Sequence, residues 1–183
     1  SRIDYYENGT IPWLKSGELK NASIYNAEEC ITENGLNNSS AKIFPKDTIL
    51  IALYGANVGL LARLEFASST NQAICALFPD ENEITNDYLY WFLRSKRPDF
   101  LKLSFGGAQP NISQKLLRET DILYPNLEDQ KTLTGYLDNL ETKINLIKKM
   151  YEKRSKYVYS LEKSILNFYL ISKDREQEDS VKS

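Results

Sequence analysis

The sequence predicts an α/β (α+β) globular domain over residues 1–125, a long coiled-coil helix over 126–171, and a short charged tail over 172–183. Three observations lead there. The first is a seam: Leu133, Leu137, Leu140, Ile144, Ile147, Tyr151, Arg154, Val158, Leu161, Ile165 and Phe168 recur at alternating spacings of four and three, and only Arg154 interrupts the apolar series. A seam of this kind belongs to a helix that packs along its whole length against another helix. At the α-helical rise it is about 53 Å long, a rod rather than a strut inside a small domain. The second is that the residues before it alternate short β-rich apolar runs with turn residues and one stretch of helical pattern. The third is that 42% hydrophobic and 11% aromatic content supplies a real core, which a disordered chain lacks.

In chain order, residues 1–9 are polar and read as a loop. Ile11-Pro12-Trp13-Leu14 reads as an edge strand at most, because proline cannot donate to a ladder. Residues 15–19 form a turn, 35–40 a loop and 45–47 a tight turn. Residues 48–54 and 58–66 read as strands joined in a hairpin by Gly55-Ala56-Asn57, with a third strand over 73–78. Thr85-Asn86-Asp87 can cap a helix through Arg94 or somewhat beyond, and Pro98 is expected to interrupt or restart it. After a glycine-rich loop at 106–111, Ser113 caps a short helix to Leu117, and 121–124 form a final strand closed by Pro125. Asn126, with Asp129 three residues on, resembles a capping box and opens the rod. Beyond Ile171 the chain is charged and poor in apolar residues, so fraying or disorder is expected.

Catalytic constellations are missing. The chain has no histidine, which removes the commonest general base and the commonest metal ligand together. No Walker or dinucleotide loop, no G-x-S-x-G elbow, no zinc spacing and no Asn-Pro-Pro-Tyr-like loop is present. Asp99, Asp129 and Lys131 imitate the acids and lysine of metal-dependent nucleases. However, Asp129 and Lys131 fall in the first turn of the rod, where acids serve the helix dipole. No catalytic residue and no metal ligand is assigned. Cys30 and Cys75 are too few for a disulfide framework and read as reduced thiols. With no run of 18 apolar residues, the chain reads as soluble and intracellular, in the cytoplasm, without membrane contact.

Residues 1–126 carry twelve basic and fifteen acidic side chains, a net of −3. A nucleic-acid binder is commonly basic, so such a role requires a local basic face or a basic partner. The segments that stand out are loops rich in Gly, Ser, Asn and Gln: Lys15-Ser16-Gly17 with Lys20 beyond it, Leu53-Tyr54-Gly55-Ala56-Asn57, Thr70-Asn71-Gln72, and Phe105-Gly106-Gly107-Ala108-Gln109-Pro110-Asn111. Amide side chains read adenine bidentately, and glycine lets a backbone approach a groove. Ordinary turns have the same composition. Trp13 and Trp91 read as core, and Phe105 as the one aromatic placed to stack or wedge. Arg154 either sets register across the seam or snorkels from it.

Taken in order, Ile11-Pro12-Trp13 with Gly17, Ile31-Thr32, Ser39-Ser40-Ala41, Phe44-Pro45-Lys46-Asp47-Thr48-Ile49-Leu50, Thr70-Asn71-Gln72, Gln109-Pro110-Asn111-Ile112-Ser113, and Pro125 with Asp129-Gln130 form a pattern running from about Tyr6 to Ile171. It resembles the specificity subunit of type I restriction–modification systems, with one target recognition domain and one helical spacer. That resemblance implies a small α/β module whose loops read one half of a bipartite site in double-stranded DNA. It implies a helix that pairs antiparallel with another and sets the distance between two such modules. It further implies methyltransferase (modification) subunits docked on this scaffold and restriction subunits beyond them. S-adenosylmethionine, ATP and magnesium would belong to those partners, and this chain would carry no cofactor and no catalysis. The family's subunit usually has two recognition domains and two spacers, so one of each implies a half-subunit or a piece of a longer protein. A half-subunit would form a homodimer through the long helix and read an inverted repeat. A coiled-coil adaptor without DNA binding is the competing reading, and a metal-dependent nuclease the third.

Overall fold

Ile49-Leu50-Ile51-Ala52-Leu53 places five apolar residues in a row, and a strand of that pattern needs cover on both faces. The computed structural model describes residues 2–104 and 111–181, with side chains at 2–103 and 111–169, and it supplies that cover. In chain order the elements are β1 (Ile11–Leu14), β2 (Ala22–Ile24), β3 (Glu29–Ile31), α1 (Glu33–Asn37), β4 (Ile43–Phe44), β5 (Ile49–Ala52), β6 (Leu61–Leu64), β7 (Ser68–Thr70), β8 (Ile74–Leu77), α2 (Asn86–Ser104), α3 (Gln114–Arg118) and α4 (Leu127–Val181). The strands form two four-stranded mixed sheets, in the orders β3-β1-β7-β4 and β2-β6-β5-β8. On one face of β5, Ile49 and Ile51, continued by Leu53, pack with Val58 and Leu61 and with Leu89, Tyr90, Leu93 and Phe100 of α2. On the other face Leu50 and Ala52 join Ala62, Leu64 and Ile74, together with Leu14 and Leu19 from the β1 region. The fold is the expected α+β domain with a long C-terminal helix, and no helix of the described residues is long and apolar enough to cross a membrane.

The expected hairpin is present, with β5 antiparallel to β6 in the register Ile49↔Arg63, Leu50↔Ala62 and Ile51↔Leu61, and β8 on the other side of β5. Its connection is longer than three residues. Gly55 (φ +88°) and Gly59 (φ +73°) both take the left-handed conformation, and Val58 N–H donates to Gly55 O while Leu60 N–H donates to Asn57 O. Two successive turns therefore separate the strands.

Several expectations are corrected. β1 is an interior strand rather than an edge, antiparallel to β3 and parallel to β7. Its register with β7 covers only Trp13 and Leu14, so Pro12, which has no N–H to give, precedes that ladder, and its carbonyl accepts the Ser68 and Ser69 hydroxyls at 3.2 and 2.8 Å where β7 runs past. The three-residue strands β2, β3 and β7 and the two-residue β4 are too short to show a period of two, and residues 58–66 do not form one strand. Within the expected loop at 35–40, α1 starts earlier and runs through Gly35, capped by the Thr32 hydroxyl, which accepts from Gly35 N–H at 3.0 Å. Pro98 does not end α2. The Leu93 and Phe100 side chains on either side of it are buried in the core, and that packing holds the helix through the lost hydrogen bond. Residues 121–124 form no strand, since Leu123 is exposed and its carbonyl accepts the Tyr88 hydroxyl at 2.7 Å instead of a ladder. Finally, α4 continues to Val181 through the charged tail, whose lysine, arginine, glutamates and glutamine favour helix and whose sequence holds no Gly or Pro to stop it.

The chain divides into two compact units, residues 1–134 and 135–183. The first turns of α4 thus belong with the globular unit. Asn126 caps them as expected, accepting Asp129 N–H at 3.0 Å and donating to the Asp129 carboxylate at 2.8 Å. Gln130 is wholly buried. Its side-chain oxygen accepts Thr85 N–H at 2.9 Å, and its amide nitrogen donates to Glu83 O at 2.7 Å and Pro125 O at 2.8 Å. One side chain so ties the start of α4 to the loop that leads into α2.

Gln130→Leu strands those three backbone groups, so urea unfolding should show a loss of about 2 to 4 kcal/mol; an unchanged midpoint would refute the anchor. Gly135 lies inside α4 with nothing within 4 Å of the position its Cβ would take. Gly135→Ala should accordingly stabilise the helix by about 1 kcal/mol, read as a gain in thermally resistant helicity by circular dichroism.

Candidate nucleic-acid interface

The candidate site forms where strands of both sheets end. β1 and β7 are parallel and pair through Trp13↔Ser69 and Leu14↔Thr70, so the turns after them emerge together. The backbone stitches the neighbouring loops to this point. Asn71 N–H donates to Leu14 O at 2.9 Å. Leu53 N–H donates to Ala73 O at 2.7 Å, and Leu53 O accepts Ile112 N–H at 2.7 Å. Tyr54 forms an isolated antiparallel bridge with Asn111. Four of the sequence-predicted segments, at 15–20, 54–57, 71–72 and 111, therefore converge on one end of the domain. Phe105, Gly106, Gly107 and Gln109 lie outside the described residues.

Convergence gives the residues different jobs. Asn57 donates its side-chain amide to Ser16 O, Gly17 O and Leu19 O, at 3.2, 2.9 and 3.1 Å. That donor group is committed to holding the 3-10 turn Ser16–Glu18 rather than offered outward. Lys15 is likewise engaged. It forms an ion pair with Glu29, whose carboxylate raises the ammonium above its ordinary pKa, and its backbone N–H donates to Glu18 at 2.8 Å. The Asn71 side-chain oxygen accepts Ala73 N–H at 3.2 Å and shapes its own turn. Exposed groups remain at Gly17, Lys20, Ala56, Gln72 and Asn111, with Ser16 and Tyr54 half-buried beside them. The outward-facing polar reach of the site is concentrated in Lys20, Gln72 and Asn111.

Sequence reasoning missed two features here. Trp13 is half-buried rather than core. It meets Tyr6 edge to face with centroids 5.6 Å apart, and the two help line a pocket of about 150 Å³ with Ser40, Thr70, Asn71 and Gln72. The aromatic beside Pro12 and the polar turn at 70–72 were each visible, but their meeting depends on the parallel β1–β7 pairing, which leaves no local signal. Arg97 is the other: its Nε donates to Val58 O at 3.1 Å, which places a guanidinium beside the 55–59 turns.

The nuclease set does not assemble. Asp99 faces Lys96 and Lys102 at 3.8 and 3.9 Å on α2, while Asp129 is held by Asn126. Among the described residues no group of three potential metal ligands occurs. Cys75 is pushed above the ordinary thiol pKa by burial, and both cysteines are free.

Along α4 the apolar seam is open. Leu133, Leu140, Ile144, Ile147, Tyr151, Val158, Leu161, Ile165 and Phe168 are exposed, Leu137 is half-buried, and values run from 38% at Leu140 to 77% at Phe168. Arg154 lines a groove with Ile147, Met150 and Tyr151. Tyr136, Met150 and Tyr157 widen the apolar face on one flank.

The chain is 28% identical over 152 residues to the EcoR124I/EcoR124II type I restriction enzyme specificity subunit of Escherichia coli, covering 80% of this chain and 37% of that protein. It is 32% identical over 148 residues to the MjaIX specificity subunit of Methanocaldococcus jannaschii, covering 76% and 34%. It spans about a third of the length of these relatives. Among solved structures, a chain from a type I R-M system whose assembly and conformational transition were described superposes with a TM-score of 0.73 at 21% identity, over 91% of this chain and 40% of that one. The HsdS subunit of Thermoanaerobacter tengcongensis superposes with 0.60 at 20% identity, over 78% and 33%. A family model described as the type I restriction modification DNA specificity domain matches residues 1–153, and this chain, with its converging loops and long helix, belongs to that family.

Proposed function

We propose that this chain is a non-catalytic DNA-specificity module that reads one half of a bipartite duplex site through the loop face at 15–20, 54–57, 71–72 and 111. The observation that carries this reading is the splice at Leu53, whose two backbone bonds draw the 71–73 and 111–112 segments onto the end of β5. Three polar loops far apart in sequence thereby meet, and the bonds of Asn71 N–H to Leu14 O and of the Asn57 amide to the 16–19 carbonyls add the fourth. Gln72 and Asn111 are exposed amides on it, suited to adenine edges in the major groove. Asn57 supports the surface by holding the Ser16–Glu18 turn.

The open seam of α4 supports the second part of the reading, in which the helix pairs with a second copy of this chain or with the helix of a second half. Exposed apolar rows of this length on a water-facing helix call for a partner. Methyltransferase and restriction subunits would dock on the paired scaffold in the cytoplasm, and S-adenosylmethionine, ATP and magnesium would be theirs. The modest acidity of the domain suits a module that shares phosphate contacts with such partners. Electrophoretic mobility shifts with the modification subunit present test the reading: salt-sensitive binding of a bipartite duplex supports it, and indifference to DNA sequence contradicts it.

Gln72→Ala and Asn111→Ala should each relax base choice by about 1 to 3 kcal/mol, measured as the ratio of binding constants for matched and mismatched duplexes. Asn57→Ala should instead weaken binding to all duplexes alike, because it frees the 16–19 turn. Ile144→Asp places a charge in the seam and should abolish pairing, seen as a halved mass in light scattering; a mass unaltered from a paired wild type would contradict pairing through this face.

A further inference from the structure

Arg97 carries an unspent positive charge, and its setting shows where that charge points. The residue lies in the fourth turn of α2 and reaches across to the turns after β5. Its Nε donates to Val58 O at 3.1 Å. Its stem crosses Gly59 so closely that a Cβ there would stand 3.0 Å from Arg97 Cγ and 3.3 Å from Ile112 Cδ1. Gly59 also has φ +73°. The glycine is therefore required twice, once for its backbone conformation and once to let the arginine pass. The side chain is consequently seated between the hairpin turns and the 111–112 segment, at the edge of the loop face.

Several other cations of the domain spend their charge on a neighbouring carboxylate. Lys15 pairs with Glu29, Lys46 with Glu65, Arg63 with Asp87, and Lys115 with Glu119. Arg97 has only the Val58 carbonyl among the described residues, and that bond uses Nε and leaves both Nη groups. In a domain of net charge −3 over residues 1–126, holding a guanidinium in one place without a counter-ion makes physical sense when the counter-ion arrives from outside. The pair of Nη donors in a fixed plane matches the two free oxygens of a phosphodiester.

We infer that Arg97 is a phosphate-binding residue that clamps the DNA backbone and sets the register in which the neighbouring amides meet the bases, an inference that rests on the DNA-reading assignment above. Contacts of this class position a protein on the duplex without carrying sequence information. Arg97 would be a positioning residue for the readers Gln72 and Asn111.

The test measures binding of the full chain, with the modification subunit present, to a mixed-sequence duplex of about three helical turns across a range of salt concentrations. Arg97→Met keeps the stem over Gly59 and removes the charge, Arg97→Gln keeps a donor for Val58 O without charge, and Arg97→Lys keeps the charge. Each loss of one phosphate contact lowers the slope of log K against log salt by about 0.9. Arg97→Met and Arg97→Gln should show that drop and bind about tenfold more weakly at low salt, equally for all sequences, while Arg97→Lys keeps the wild-type slope. Using two neutral variants keeps the result readable if one of them unfolds. Wild-type binding with an unchanged slope in the folded neutral variant would overturn the role of Arg97 alone. No salt-dependent binding by the wild-type chain beyond that of the modification subunit alone would overturn the DNA-reading assignment, and this inference with it.

Discussion

The backbone of Leu53 holds the candidate interface together. Its N–H reaches Ala73 O and its carbonyl takes Ile112 N–H, each at 2.7 Å. These two bonds continue the ladder of β5 past its last paired residue and join segments separated by tens of residues. They can form only because Ile49 to Leu53 is buried on both faces, with α2 on one side and the sheet of β1 and β7 on the other. Water excluded from this strand end cannot compete for the two backbone groups, so the junction is enforced by the same burial that forms the core. The exposed polar turns are thus borne on a strand buried on both faces, a sound arrangement for reading an external surface.

A second constraint acts at the other end of the globular unit. Gln130 is a polar side chain in a wholly buried position, and it is tolerated because both ends of its amide are satisfied by backbone groups of the 83–85 loop and of Pro125. The start of α4 is therefore specified by hydrogen bonds as well as by its Asn126 cap. Further along, the apolar rows of the helix stand open. The domain end of α4 is anchored within the single chain, whereas the apolar seam is exposed on it.

Legibility in the sequence followed the length and locality of each signal. The seam from Leu133 to Phe168 and the run at 49–53 were legible because period and apolarity persist over many residues. The caps at Ser113 and Asn126 were legible because a single side chain answers backbone three residues away. β2, β3, β4 and β7 were not, being two or three residues long and stabilised by neighbours distant in sequence. Pro12 and Pro98 misled because local rules for proline see only the missing donor: the β1–β7 register begins at Trp13, and the core around Phe100 holds α2 through Pro98. Within the site, residue type located the loops but not the roles. Asn57 and Gln72 look alike in sequence, yet one amide is spent on three carbonyls and the other is exposed. Arg97 was invisible because its significance lies in an approach across Gly59 that no spacing encodes.

The claim on which the rest depends is that these loops form one DNA-facing surface. Hydrogen–deuterium exchange of the chain, with and without a duplex selected from a randomised pool, measures this most directly. Protection should appear together at 15–20, 54–59, 71–73 and 111–112 when DNA is added, while the amides of α3 and the 80–85 loop keep their rates. Protection confined to other surfaces, or to one of these segments alone, would contradict a shared interface.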